Sequence, residues 1–154
     1  MKNTCVIQTM VGQMEIEEDG EGICRMDFCR GKALKKSDSV LLVRAEQEIN
    51  EYMEGKRKTF DLPLSMHGTS FQTEVWNRLR QIPYGRTQSY GQIAAAVGRP
   101  NAARAIGNAV HNNPIAVIVP CHRVIGADGS MTGYAAGISY KKKLLAIEKE
   151  GACM

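Results

Sequence analysis

The sequence has no apolar run approaching the ~20 residues that a helix needs to cross a bilayer, and this excludes a membrane-spanning helix. The first residues, Met1 to Cys5, also lack the apolar core of a secretory signal. We therefore expect a cytoplasmic, intracellular protein whose thiols are reduced. The cysteines number 5, which is odd, so they cannot all pair with one another. Internal repeats and low-complexity segments are absent as well.

Size and composition indicate a globular chain. With 154 residues, it is long enough for one domain of ordinary size, or for one domain and a small lobe. The charge is uneven, because residues 1–67 have a net charge of −2 and residues 68–154 a net charge of +6. A basic segment suggests a polyanionic partner, although the same charge is also typical of a merely soluble segment.

The amino-terminal part predicts a small sheet covered by a helix. Alternating and β-rich segments over residues 4–29 predict a three-stranded meander, with a turn at residues 19–22. Asp38 or Ser39 is placed to cap a helix that runs to about Met53. The predicted apolar stripe of this helix consists of Val40, Leu41, Val43, Ile49 and Met53.

The carboxyl-terminal part begins with capped helices. We place a domain boundary after His67, which gives a lobe of residues 1–67 and a second domain of residues 68–154. Thr69-Ser70-Phe71-Gln72 is a capping box followed by apolar residues at helical spacing. Ser89-Tyr90-Gly91-Gln92 repeats the capping pattern and predicts the start of a second, shorter helix.

A further short helix is predicted directly after this one. Gly98-Arg99-Pro100 breaks the chain, and Asn101 then caps a helix from Ala102 to about His111. The residues predicted to face inward are Ala103, Ile106 and Val110. Two short helices joined by a turn that contains glycine are typical of a helix-turn-helix, although they are also a common packing unit.

The outer face of that last helix is unusually small. Its predicted outward residues are Ala102, Ala105, Gly107 and Ala109, and Arg104 is the only long side chain among them. Small side chains allow either another helix or a nucleic-acid groove to approach the backbone closely. The single arginine favours the groove.

An apolar run between two prolines, residues 115–119, predicts a short buried strand. Cys121, His122 and Arg123 follow it. A thiol beside a potential base and a fixed cation is a plausible activated nucleophile. Free cysteine is also among the most buried residue types, so a structural role stays open from this stretch alone.

His122 is the candidate base by sequence. Adjacent residues of a strand point to opposite faces, so contact with Cys121 requires either a curl after Pro120 or a bridging water. Glu148 is a candidate to orient the imidazole as a third member. The alternative for Glu148 is an ordinary solvated position on a helix.

The last helix is predicted over residues 140–150, with Ser139 as its cap. Its lysines, Lys141 to Lys143, are expected to point outward or toward phosphates. A glycine-rich loop over residues 132–137 precedes the helix. Because its side chains are small apart from Tyr134, this loop is suited to line a pocket wall.

The run Ile118-Val119-Pro120-Cys121-His122-Arg123-Val124-Ile125 resembles the active-site motif of the O6-alkylguanine-DNA alkyltransferases, also called methylated-DNA–protein-cysteine methyltransferases. Other segments resemble that family in order and spacing, namely residues 89–94, residues 102–107, Asn113-Pro114 and Gly133-Tyr134. The likeness covers about residues 69–150. The amino-terminal part is similar to the family's small sheet lobe only in plan.

The resemblance implies an α+β fold, with a small antiparallel sheet lobe and its helix followed by a mainly helical, winged-helix-like domain that contains the helix-turn-helix. It implies DNA repair by direct, irreversible, single-turnover transfer of the alkyl group from O6-alkylguanine, and from O4-alkylthymine, to Cys121. The implied partner is double-stranded DNA. The resemblance further implies a monomer without a cofactor, a metal or a membrane contact.

The resemblance also carries catalytic roles onto single residues. Cys121 is the nucleophile, His122 takes its proton through a water, and Glu148 holds the imidazole. Tyr90 helps to rotate the nucleotide and donates a proton toward the guanine ring nitrogen. Asn113 braces the segment that carries the cysteine.

DNA and substrate contacts follow from the same resemblance. The damaged guanine is flipped out of the stack, and Arg104 fills the space it leaves in the minor groove. The other implied DNA contacts are Ser89, Ala102, Ala103 and Arg123. The implied pocket wall consists of Val124, Tyr134, Ala135 and Ala136.

Two features depart from the family pattern. Some relatives carry a serine where this chain has Ala135, followed by Ala136 instead of glycine, which removes one hydrogen bond to the guanine oxygen. The cysteines that lie where some relatives bind zinc are Cys5, Cys24 and Cys29. A fourth zinc ligand requires His67 to reach them, so the zinc signal is weak.

Three other classes of protein remain as alternatives. A non-catalytic lesion-binding protein shares the fold, but relatives of that kind lack the cysteine. A cysteine hydrolase needs an oxyanion hole and a histidine on a separate element, and neither His67 nor His111 has that context. A helix-turn-helix regulator leaves Cys121 and Glu148 without a role.

Overall fold

A computed structural model describes residues 2–131 and 134–152. The chain divides into two compact units, one formed by residues 1–67 with 114–116 and the other by residues 68–113 with 117–154. The first contains a three-stranded antiparallel sheet, and the second is mainly helical. The predicted α+β class is therefore confirmed. No helix in the described part of the chain is both long and apolar enough to span a bilayer.

The first unit is the predicted meander and its helix. The strands are β1 (Asn3–Gln8), β2 (Gln13–Glu18) and β3 (Ile23–Cys29), in the order β1-β2-β3 with both pairs antiparallel. Alternate residues of β2, including Met14 and Ile16, are buried because side chains of a strand alternate between its two faces.

Helix α1 (Val40–Met53) packs on this sheet. Ser39 caps it as predicted, since its hydroxyl accepts the Leu42 N–H at 3.4 Å. The predicted stripe is partly wrong, because Val40 and Val43 are exposed. The buried face consists of Leu42, Ala45, Glu48, Ile49, Tyr52 and Met53, at spacings of three and four that keep one side of the helix on the sheet.

In its described residues, the second unit consists of five helical segments and one small sheet. Its elements are α2 (Ser70–Leu79), β4 (Gln88–Ser89), α3 (Tyr90–Ala96), α4 (Ala103–His111), the 3₁₀ turn Cys121–Arg123, β5 (Val124–Ile125) and α5 (Ile138–Ala152). Both predicted capping boxes are present, at Thr69 with Gln72 and at Ser89 with Gln92. Helices α3 and α4 pack on each other and on α2, in the order predicted for the helix-turn-helix.

The start and orientation of α4 differ from the prediction. Its cap is Ala102 rather than Asn101, and the methyl side chain of Ala102 makes no hydrogen bond to the first amides. Ala103 is exposed instead of facing inward, whereas Ala109 is buried. The reason for the buried Ala109 lies outside the helix, because its carbonyl accepts the indole N–H of Trp76 at 2.8 Å.

The predicted strand over residues 115–119 is wrong. Ile115 makes one isolated bridge to Met26 within the first unit, and the chain then turns over residues 116–118. Val117 has a φ of 73°, in the left-handed region that a β-branched residue rarely adopts. An apolar run alone does not distinguish a buried strand from a buried turn.

The last helix starts earlier than predicted. Helix α5 begins at Ile138, so Ser139 lies within its first turn and is not its cap. Lys141 is buried, contrary to the prediction of an outward side chain, and Glu148 is buried as well. Of the predicted pocket loop, Thr132 and Gly133 lie outside the described residues, as does Cys153.

Candidate active site

Cys121 lies on a tight curl of the backbone rather than at the end of a strand. Pro120 has φ −81° and ψ 66°, which is an inverse γ-turn, and the Cys121 N–H donates to the Val119 carbonyl at 2.8 Å. A 3₁₀ turn follows at once, in which the Arg123 N–H donates to the Pro120 carbonyl at 3.0 Å. The side chain of Asn113 also donates to the Val119 carbonyl, at 2.8 Å, so this oxygen anchors both segments.

The turn upstream of the cysteine is strained. The left-handed φ of Val117 costs on the order of 1–3 kcal/mol for a residue that is not glycine. Val117 is fully packed, with 1% of its surface exposed, so its surroundings hold it in this conformation. Such outliers occur where a chain must present a side chain in one defined position.

His122 and Glu148 form a buried pair. The Nε2 atom of His122 lies 2.7 Å from Oε2 of Glu148, and the exposed fractions of the two side chains are 0% and 1%. Arg123 binds the same carboxylate with two donors, Nε to Oε1 at 2.8 Å and one Nη to Oε2 at 2.9 Å. One carboxylate on α5 therefore holds both residues that follow Cys121.

Burial and charge set the protonation of this cluster. Burial lowers the pKa of His122, and the charges of Arg123 and Lys141 lower it further, although the hydrogen bond and charge of Glu148 oppose them. Burial raises the pKa of Glu148, but hydrogen bonds and charges from His122 and Arg123 outweigh it and bring the pKa to about 2. At neutral pH the carboxylate is ionised and the imidazole is neutral, which is the form that accepts a proton.

Arg123 does not face a surface. Its side chain is about one-tenth exposed, it donates to the Ile82 carbonyl at 2.6 Å, and its guanidinium lies 5.8 Å from the centre of the Tyr84 ring. This corrects the expectation of a DNA-contacting arginine, because the donors that would reach a phosphate are occupied by Glu148 and a backbone oxygen. Arg123 instead fixes the carboxylate that holds His122.

The turn before β4 also supports Glu148, and sequence reasoning missed it. The Gly85 N–H donates to Oε1 of Glu148 at 3.4 Å. Gly85 has a φ of 79°, and a Cβ there would lie 2.6 Å from Cβ of Ala152. The glycine in the sequence signals a turn, but nothing in the sequence signals that this turn meets a helix 63 residues later.

Tyr90 and Cys121 lie near each other. Tyr90 is the first residue of α3, and burial together with the charge of Cys121 raises its pKa. Strands β4 and β5 explain the proximity, because the parallel pairing of Ser89 with Ile125 ties the start of α3 to the segment after the cysteine.

The remaining predicted pocket residues follow the cysteine turn. Val124 and Tyr134 are buried, whereas Ala135 is exposed and Ala136 half-buried. The Gly137 N–H donates to the Tyr134 carbonyl at 3.1 Å, which closes the loop against the start of α5. Sequence reasoning missed Lys141, whose Nζ donates to the Val124 carbonyl at 2.6 Å.

The predicted DNA contacts, apart from Arg123, lie on the surface. Ala103 and Arg104 are exposed on α4, and Ala102 and Ser89 are half-buried at the starts of α4 and α3. The exposed face of α4 also includes Ala105, so small side chains flank the single arginine. This surface lets a partner approach the helix backbone around one long cation.

The other described cysteines lie in a different environment. Burial raises the pKa of Cys5 to about 11, and burial and nearby carboxylates raise that of Cys24. Burial likewise raises the pKa of Cys29. Within residues 2–131 and 134–152, no three His, Cys, Asp or Glu side chains converge as a metal site. His67 contacts Ser65 and Asp19 at 2.9 and 3.3 Å.

A helix-turn-helix with a small outer face, joined to a curled cysteine and a buried histidine–carboxylate pair, defines a DNA-binding protein with a nucleophilic thiol. Two family models match the chain: the 6-O-methylguanine DNA methyltransferase DNA-binding domain over residues 70–150, and its ribonuclease-like domain over residues 4–66. The chain belongs to the 6-O-methylguanine DNA methyltransferase family.

Individual relatives match along nearly the whole chain. The methylated-DNA–protein-cysteine methyltransferase of Methanosarcina acetivorans is 43% identical over 154 residues, 96% of this chain and 97% of that protein. The crystal structure of the Mycobacterium tuberculosis O6-methylguanine methyltransferase superposes with a TM-score of 0.88 at 39% identity, covering 97% of this chain and 94% of that one. A DNA complex of the mycobacterial protein superposes with a TM-score of 0.87 at 40% identity, covering 95% and 92%.

Proposed function

We propose that this chain repairs duplex DNA by transferring the alkyl group of O6-alkylguanine, and of O4-alkylthymine, irreversibly to Sγ of Cys121. Its family relatives are methylated-DNA–protein-cysteine methyltransferases, and the present chain is an enzyme of that kind. The observation that carries the proposal is a buried pair beside the cysteine. His122, the residue next to Cys121, has its Nε2 atom 2.7 Å from Oε2 of Glu148. A structural cysteine needs no such neighbour.

The reaction is a displacement at the alkyl carbon. His122, neutral at neutral pH, takes the thiol proton through a water, and Glu148 stabilises the imidazolium that forms. The sulfur of Cys121 then forms a bond to the alkyl carbon while the bond from that carbon to the guanine oxygen breaks. The electron pair moves into the base, where Tyr90 supplies a proton to the ring nitrogen. The product is a thioether, so each molecule acts once.

The helix-turn-helix supplies the DNA site. We propose that α4 enters the minor groove with its exposed alanines against the backbone. Arg104 takes the place of the flipped-out base, which reaches a pocket lined by Val124, Tyr134, Ala135 and Ala136. Asn113 braces the segment that carries Cys121, because its side chain donates a hydrogen bond to the Val119 carbonyl. We further propose that the protein acts as a monomer without a cofactor, that residues 68–154 carry the reaction and that residues 1–67 support them.

The test is incubation with duplex DNA that contains O6-methylguanine, followed by mass measurement of the intact protein. We expect a gain of one methyl group per molecule, located on the Cys121 peptide, and no further turnover when DNA is in excess. DNA binding without a mass change would favour the lesion-binding alternative. Repeated turnover by one molecule would favour a hydrolase.

Replacing Arg104 with alanine is expected to slow repair of duplex DNA at least about tenfold and to leave alkyl transfer from free O6-methylguanine base unchanged. The reason is that Arg104 lies on the exposed face of α4, away from the buried cluster. Arg44→Ala removes the same charge from an exposed position on α1 and serves as the control. Rates for both substrates are measured from methylated protein; equal losses on duplex and free base would contradict the role of Arg104.

A further inference from the structure

A lysine is buried on the face of α5 that packs toward the cysteine turn. Lys141 is 1% exposed, while its neighbours Lys142 and Lys143 are exposed. It lies three residues before Leu144 and seven before Glu148, both buried, so one helix face carries all three. A methionine or leucine would fill this position without the cost of taking an ammonium group out of water.

The contact that Lys141 makes is with the cysteine turn. Its Nζ donates to the Val124 carbonyl at 2.6 Å. The Val124 N–H in turn bonds to the Cys121 carbonyl and closes the 3₁₀ turn. The ammonium is therefore hydrogen-bonded to the residue that directly follows the turn, whose first residue carries the sulfur.

The hydrogen bond to Val124 places the charge of Lys141 close enough to affect the pKa values of the reacting groups. Burial lowers the pKa of Lys141, and the charge of Cys121 opposes this by raising it. The charge of Lys141 also contributes to the lowered pKa of His122. Charge interactions inside a protein are stronger than in water, so a cation at this position favours an anionic sulfur and a neutral imidazole together.

The other described charged or titratable groups around the turn do not supply a free positive charge to the sulfur, because they are either paired with an opposite charge or neutral. Arg123 and Glu148 bind each other through two hydrogen bonds, so their charges largely offset. Tyr90, at the start of α3, has a pKa that burial and the charge of Cys121 raise, so it stays a neutral donor. Tyr84 lies against Arg123 from the turn before β4 and is likewise neutral.

We propose that Lys141 is a positioning residue for the alkyl transfer: its ammonium fixes the Val124 carbonyl at the end of the cysteine turn and stabilises the Cys121 thiolate by charge. This inference rests on the proposed function of Cys121 as the nucleophile. No proton passes through Lys141. The thiol proton leaves through His122, and Lys141 keeps its own protons before and after the displacement.

The test measures thiolate formation without DNA. Wild type and the Lys141→Met variant are treated with iodoacetamide across a pH series, and carboxamidomethylation of the Cys121 peptide is followed by mass spectrometry. Since only the thiolate reacts, we expect the midpoint of the rate profile of K141M to move upward by at least about one pH unit, which is roughly tenfold slower labelling below the midpoint. K142M, which removes an exposed lysine one position along, is expected to superpose on wild type.

Two further variants separate charge from hydrogen bonding. Lys141→Arg keeps the charge and is expected to retain a midpoint close to wild type, whereas Lys141→Gln keeps a donor without the charge and is expected to behave like K141M. A K141M or K141Q profile that superposes on wild type would overturn the inference, and so would a loss of rate that is equal at every pH. Wild-type methyl transfer is measured separately, so its failure would count against the proposed function instead.

Discussion

Replacing Cys121 with alanine is expected to abolish methyl transfer from O6-methylguanine in DNA, with no mass gain at any incubation time. The sulfur is the atom that forms the new bond, and none of the other described cysteines lies beside a buried base. Cys121→Ser is expected to be as inactive as the alanine variant within detection, because a hydroxyl at this position ionises far less readily than a thiol.

The matched control is Cys24→Ala. Cys24 is a partly buried thiol of β3 whose Sγ lies 3.5 Å from the Glu17 carbonyl, and its raised pKa keeps it protonated. This variant is expected to gain one methyl group like wild type. C121A should still bind the damaged duplex, with an affinity that falls as salt is added because phosphate contacts release counterions. A methyl group found on any residue of C121A would contradict the assignment of the nucleophile.

Replacing Glu148 with glutamine is expected to lower the free energy of unfolding at pH 7 by about 3–5 kcal/mol, the usual cost of removing one partner from a buried ion pair. The change leaves the guanidinium of Arg123 buried beside a neutral amide and removes the charge that stabilises protonated His122. Alkyl transfer is therefore expected to slow by at least about tenfold as well. Urea unfolding and the rate of protein methylation measure the two effects, and Glu150→Gln, an exposed position on the same helix, is the control for both.

The acid stability of these variants gives a second measure of the same carboxylate. The pKa of Glu148 is about 2 in the folded chain, against an ordinary value of 4.5. Its contribution to stability is therefore full above pH 4.5 and is lost as the pH falls toward 2; it amounts to about 3 kcal/mol. The lowered pKa of His122 acts in the same direction, below its ordinary value of 6.5.

E148Q should lack the part of this acid loss that lies between pH 4.5 and 2, while E150Q should follow wild type. The free energy of unfolding is measured by urea titration at several pH values. Parallel pH curves for E148Q and wild type would show that folding does not lower the pKa of Glu148, contrary to its hydrogen bonds with His122 and Arg123.

Local signals in the sequence predicted most of the fold. Capping boxes at Thr69 and Ser89, the cap at Ser39 and the turn at residues 19–22 depend on neighbours within four positions, and the structure has all of them. The capping and turn chemistry that produces them is written in consecutive residues. The sheet of three strands follows for the same reason.

What the sequence did not predict depends on distant partners. Arg123 was expected to contact DNA, and Lys141 was expected to point outward or toward phosphates, yet each is held inside by groups on another element. Residues 115–119 were expected to form a strand because their apolar character is clear. Instead they pair at one point only, with Met26 nearly 90 positions earlier, whose backbone bonds to residues 114 and 116, and the chain then turns.

The buried indole of Trp76 has an optical consequence. Trp76 is the single tryptophan of the chain, it is 2% exposed, and its N–H bonds to the Ala109 carbonyl on α4, the helix that carries Arg104. The protein thus contains one tryptophan fluorophore, hydrogen-bonded to the backbone of α4. Its emission reports on that helix without any attached dye, which makes stopped-flow observation of lesion engagement accessible with the unmodified chain.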